Sequence, residues 1–247
     1  MRSYETGPPA RTPRNRDPRE AGLVPLANGV QPGELGQGVV RGSSGTGASD
    51  RVEYGGSGMF RIRVQGRRGG EVLATAGLLA AAVTAEGRRA AVAAAAMDGP
   101  AVALCTVDGW AAASVDGPPP VADGLIVHDP SELGRPDIFA RLSPEAYLLV
   151  NSTCGFGDLG VSDRVERFYR DRALVLPAAR LDLGRHDGLI RSATLLGGFA
   201  ALSRMVSLDG VVAAVQDRMP PSAAWAGVEA AGAGYDFVRG ARQALAV

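Results

Sequence analysis

Residues 59–65 read Met-Phe-Arg-Ile-Arg-Val-Gln, alternating apolar with polar positions, and this period of two predicts a half-buried strand. Residues 71–86 are rich in Ala and Leu and predict a helix that Gly87 stops as a C-cap. Two short apolar runs follow, at 89–96 and 101–107. Residues 123–128 (DGLIVH) read as a buried strand ending at Asp129-Pro130, and 146–151 (AYLLVN) as the next, ending at Ser152. A further strand is expected at 173–176 (ALVL), closed by Pro177. The last third reads as helices over about 188–204, 207–218 and 222–243. Apolar strands interleaved with helices predict an α/β fold, a three-layer α/β/α arrangement around a mostly parallel sheet covered on both faces.

This pattern begins only near residue 57. Residues 1–56 carry 11 Gly, 6 Pro and 7 Arg with no sustained period. Such a segment buries too little apolar surface to offset the entropy of ordering it, so a disordered Gly/Pro/Arg-rich N-terminal tail is expected there. Residues 57–247 are expected to form one domain, a length at which about 70% of the unfolded surface can be buried.

Composition narrows the chemistry. Every one of the 26 basic residues is Arg, and 26 acids balance them. Without Lys there is no Schiff-base or P-loop lysine. Zero net charge gives no electrostatic case for nucleic acid or an anionic membrane as partner. Cys105 and Cys154 lie far apart and cannot by themselves hold an iron–sulfur cluster or a closed zinc site. The N-terminus has no apolar signal-peptide core, and the longest apolar run falls well short of the ~20 residues that span a bilayer. A cytoplasmic protein is expected. No HExxH, HxxxH or GxSxG pattern is present, and no catalytic or metal-binding residue is assigned.

The first candidate site is Gly66, Arg67, Arg68, Gly69 and Gly70, between a predicted strand and a predicted helix. At such a turn, backbone N–H groups and the helix dipole meet an anion, glycines admit close approach, and arginines clamp bidentately. Glu71 opposes this by placing a carboxylate nearby, and a plain turn with two solvated arginines stands as the alternative. The second candidates are strand ends, where open parallel sheets bind ligands: Asp129, Asn151 and Ser152, with His128 beside them. Asp129 reads more readily as a turn or cap before Pro130.

Five stretches carry a resemblance: RIRVQGRRGGEVLATAGLLAAAVTAEGRRA (61–90), ADGLIVHDPSEL (122–133), AYLLVNST (146–153), LVLPAARLDLGR (174–185) and SATLLGGFAALSRMVSLDGVVAAVQDRM (192–219). Their order resembles the gamma subunit of the 2-oxoacid:acceptor oxidoreductases, the family of pyruvate, 2-oxoisovalerate and 2-oxoglutarate ferredoxin oxidoreductases. Gly66, Arg67, Gly69 and Val72 stand in matching places of the family's first loop, while Arg68 replaces a glycine, Gly70-Glu71 replaces Gln-Gly, and Ser192 replaces Asn. The resemblance implies a non-catalytic subunit of a complex that decarboxylates a 2-oxoacid, forms an acyl-CoA and reduces ferredoxin. It implies alpha and beta subunits as partners, with thiamine diphosphate, Mg and iron–sulfur clusters on those partners and none on this chain. Coenzyme A is then a substrate whose site this subunit helps to form. Two other readings stay open: a stand-alone nucleotide- or anion-binding α/β module, and a structural subunit that has lost ligand binding.

Overall fold

The alternating segment forms strand β1 (Phe60–Gly66), which lies at the middle of a six-stranded sheet of order β2-β3-β1-β4-β5-β6. The other strands are β2 (Ala90–Ala96), β3 (Ala101–Val107), β4 (Ala122–Val127), β5 (Leu142–Asn151) and β6 (Ala173–Leu176). The helices are α1 (Gly69–Ala85), α2 (Ser162–Val165), α3 (Ala178–Leu181), α4 (Gly188–Ser203), α5 (Leu208–Arg218) and α6 (Pro221–Leu245). This computed structural model describes residues 59–96, 101–108, 121–181 and 187–245. The tail expected over 1–56 lies outside them.

β1, β4, β5 and β6 run parallel, whereas β3 is antiparallel to both β1 and β2. The expected mostly parallel sheet is therefore present, with one reversed strand. An all-apolar run such as AVALCTV carries no signal of direction, so periodicity alone does not reveal the reversal.

The two faces are covered differently. On one, α1, α4, α5 and α6 bury a large cluster around Ile62, Val64, Leu79, Leu149 and Phe199. On the other, Leu125, Val127, Leu148 and Val150 pack under Leu133, Ile138, Phe139 and Phe168, which come from short turns and loops. Arginines pin those loops in place. Buried Arg63 of β1 donates to the carbonyls of Ile138 and Ala140, and Arg164 of α2 donates to those of Leu133 (2.8 Å) and Arg135 (2.7 Å). A guanidinium suits this task because its planar fork reaches two acceptors at once. Among the described residues, no helix is long and apolar enough to cross a membrane.

Candidate functional site

The carboxyl ends of the parallel strands meet at one edge, and the connections that leave them diverge. β1 leads into α1, which packs on the helical face, whereas β4 leads into a 3-10 turn, Pro130–Gly134, whose Leu133 packs on the opposite face. Such a divergence between β1 and β4 is the usual ligand position in an open α/β sheet. Gly66 and His128 stand at it, both buried. His128 N donates to Gln65 O at 2.8 Å, holding the two strand ends together. A Cβ at Gly66 would stand 2.8 Å from His128 Cβ, so only glycine fits there.

Five predicted residues form the rim. Gly66 is buried, Arg67 and Arg68 are exposed, and Gly69 and Gly70 open α1. No side chain caps this helix. Glu71 N and Val72 N donate to Arg68 O at 3.1 and 3.2 Å, which leaves the N–H groups of Gly69 and Gly70 at the positive end of the helix dipole. Arg67 has no partner among the described residues, and a side chain at Gly70 would meet nothing within 4 Å. The rim is thus open and cationic.

Glu71 does not spoil it. Its carboxylate turns inward, where Arg191 of α4 donates to it at 2.9 Å. Arg68 lies 3.7 Å from the same oxygen, and His128 Nδ1 lies 3.7 Å from the other. The His128 imidazole, then the Arg191 and Arg68 guanidiniums, hold the Glu71 carboxyl below its ordinary range, against the upward push of burial. Gly188 makes room for it, since a Cβ there would stand 2.9 Å from Glu71 Cγ. The expected repulsion between Glu71 and an anion is therefore met by neighbouring cations, and Glu71 serves as a strut from α1 to α4.

His128 is almost wholly buried. Its Nε2 lies 2.7 Å from Thr75 Oγ1, which also donates to Glu71 O at 3.0 Å. Its Nδ1 has no hydrogen-bond partner and faces Glu71. Beside it, Gln65 Nε2 donates to Glu132 at 3.2 Å, both side chains buried. Sequence reading weighed Glu71 and His128 separately and missed their meeting; Glu71 and Arg191 stand 120 positions apart, and no local pattern links them.

The remaining candidates sit at the same edge in supporting roles. Asp129 caps the 3-10 turn, accepting from Ser131 N at 3.0 Å, which is the turn role weighed for it from sequence. Asn151 donates to His128 O (2.9 Å) and accepts from Ala178 N (3.2 Å), tying the end of β5 to those of β4 and β6. Ser152 accepts from Cys154 N at 2.9 Å in a tight turn. Cys105 is buried in β3, and burial pushes its thiol up to about 12, too high for a nucleophile. Among the described residues, no group of three or more His, Cys, Asp or Glu is placed to hold a metal ion.

The model of one protein family, described as pyruvate ferredoxin/flavodoxin oxidoreductase, matches residues 61–237. The chain belongs to that family. The resemblance read from the five sequence stretches is thus borne out. The solved structures agree at the level of fold. The pyruvate oxidoreductase subunit PORC of Thermotoga maritima is 22% identical with a TM-score of 0.56, over 72% of this chain and 96% of that one. The gamma subunit of a keto/oxoacid ferredoxin oxidoreductase from Geobacter sulfurreducens is 19% identical with a TM-score of 0.54, over 74% and 99%. A 2-oxoglutarate:ferredoxin oxidoreductase of Magnetococcus marinus, solved with 2-oxoglutarate, coenzyme A and succinyl-CoA, is 15% identical with a TM-score of 0.56. There the match covers 74% of this chain but 31% of that longer one. No curated protein matches the chain.

Proposed function

We propose that this chain is a gamma-type, non-catalytic subunit of a 2-oxoacid:ferredoxin oxidoreductase, the complex that converts a 2-oxoacid and coenzyme A to an acyl-CoA while reducing ferredoxin. The observation that carries the reading is the family match over residues 61–237, which spans the sheet and its helical layer. Two neighbours of the same fold that are themselves separate subunits, covered over 96% and 99% of their lengths, support it further. On this reading the alpha and beta subunits hold thiamine diphosphate, Mg and the iron–sulfur clusters.

The rim at Gly66–Gly70 is this chain's contribution to the shared site. A phosphate of coenzyme A fits the residues present: an uncapped helix start, the unpaired Arg67, Arg68 and the open side of Gly70. The coenzyme A bound in the Magnetococcus complex is consistent with this. A helix N-terminus contributes about 0.3–1 kcal/mol toward an anion, and each charge-assisted bond from an arginine about 1.5–3 kcal/mol. An acidic side chain of a partner subunit is the other anion that this rim would take.

The double variant Arg67→Ala/Arg68→Ala in the assembled complex tests the site. Both side chains are exposed, so the fold is expected to persist. A rise of about tenfold or more in the KM for coenzyme A, with assembly unchanged, is expected if the anion is the substrate. Weakened assembly with an unchanged KM assigns the rim to a partner subunit. Wild-type assembly and turnover together would reduce the loop to a plain turn.

A further inference from the structure

β6 is the outer strand of the sheet, beyond β5. Its hydrogen bonds show which of its groups remain outside. The carbonyls of Arg172 and Leu176 accept from Leu148 N (2.7 Å) and Ser152 N (3.2 Å) of β5. With a period of two, Leu174 also faces β5, and the N–H and C=O of Ala173 and Val175 point away from the sheet. No described residue bonds them. An edge of this kind is a template for another strand.

The space beside that edge is shaped. A hollow of about 720 Å³ runs along Ala173, Leu174 and Val175 and is walled by Phe156, Val165 and Phe168. It adjoins a second hollow of about 640 Å³ at the ends of α4 and α6, and the two share Arg170 and Leu245. Four arginines line this trough, Arg170, Arg204, Arg239 and Arg242, against the carboxylates of Asp171 and Glu166. Arg242 is held in place, donating to Ala201 O, Leu202 O and Asp171. Arg239 pairs with Asp236 at 2.9 Å. Arg170 and Arg204 are exposed and have no partner among the described residues. The trough therefore offers strand-pairing groups and apolar hollows at one end and unpaired guanidiniums at the other.

We infer that this trough docks an extended, acidic segment of a partner subunit, which adds to β6 as a further strand. Its main chain bonds Ala173 and Val175, an apolar side chain fills the hollow between Phe156 and Phe168, and its carboxylates face Arg170 and Arg204. The excess of positive charge selects an acidic occupant, and the unpaired backbone selects an extended one. Glu166 on the rim disfavours a carboxylate at that end and sets the segment's direction, acidic end toward α4 and α6. The trough runs along the outer side of β6, and none of its lining residues belongs to the rim at Gly66–Gly70, so the two surfaces are built from different residues. The inference rests on the reading of this chain as a subunit of a larger complex.

The test uses the full chain co-expressed with the subunits that co-purify with it. Val175→Pro removes an N–H that points out of the sheet, so the ladder with β5 stays intact while the new strand loses a donor. Arg170→Glu/Arg204→Glu reverses the unpaired charges and keeps the backbone. Each variant is expected to weaken assembly by about tenfold or more, the charge variant most at low salt. In the wild-type complex, hydrogen exchange at the Ala173 and Val175 amides is expected to slow relative to the isolated chain. If Val175→Pro does not fold, the charge variant and the exchange measurement decide. Wild-type assembly of the charge variant, or amides that exchange equally fast in chain and complex, overturns the inference while the subunit reading stands. A wild-type chain that co-purifies with no subunit overturns both.

Discussion

Gly66 shows how a single position sets the site. With His128 Cβ 2.8 Å from where its own Cβ would stand, any side chain must push β1 and β4 apart. Gly66→Ala is expected to lower stability by about 1–3 kcal/mol in urea unfolding, the usual cost of overpacking. Gly70 is the contrast, since nothing lies within 4 Å of the added methyl. Gly70→Ala is expected to leave stability unchanged or raise it by up to ~1 kcal/mol, because alanine favours helix. Glu71 carries a pH dependence. Its carboxyl sits below the ordinary range in the folded chain, so the unfolded chain takes up the proton first as the pH falls. The stability from this group is full at neutral pH and fades as acidification passes through the folded value. Glu71→Gln keeps the size and loses the charge. It is expected to cost about 1–3 kcal/mol at pH 7, and the gap to wild type is expected to narrow when both are unfolded at acid pH.

Among the elements, β1, α1 and the three long C-terminal helices were legible because periodicity and length leave one reading. The runs that became β2 and β3 were legible as apolar segments. Their antiparallel pairing was not, since apolar strands carry no direction. The short helices α2 and α3 and the 3-10 turn were invisible because four or five residues hold no period. The turn from β1 into α1 at Gly66–Gly70 was legible from its glycines and its place between a strand and a helix. The inward turn of Glu71 was not, because its partner Arg191 comes from a distant helix. The packing of α4 on α6 was hidden for a related reason: Gly197 and Gly234 look like helix weakeners in sequence. In the fold each lies against the other helix's backbone, where a Cβ at Gly197 would overlap the carbonyl of Ala231 and one at Gly234 that of Thr194. Alanine would gain about 1 kcal/mol of helix propensity at either position. The overlap is with backbone that cannot swing aside, and overpacking costs about 3 kcal/mol. Gly197→Ala and Gly234→Ala are each expected to destabilise the domain by roughly 2 kcal/mol or more. Calorimetric melting at wild-type temperature would show that the two helices can slide apart at little cost.

At the scale of the whole molecule, the family match covers the sheet and its helical layer, and the rim at Gly66–Gly70 stands where β1 hands over to α1. Behind that rim Glu71 faces Arg68 at 3.7 Å and Arg191 at 2.9 Å through the same carboxylate oxygen. Glu71 is thereby held inward, and the exposed guanidiniums of Arg67 and Arg68 face outward from the rim. The measurement that bears most directly on the account is native purification of the full chain from its source, with thiamine diphosphate, iron and 2-oxoacid- and coenzyme A-dependent acceptor reduction assayed in the same peak. The account predicts that the chain elutes in stoichiometric complex with larger subunits, and that thiamine diphosphate, iron and activity follow that peak. A chain that elutes alone, with cofactors and activity in other fractions, would contradict it.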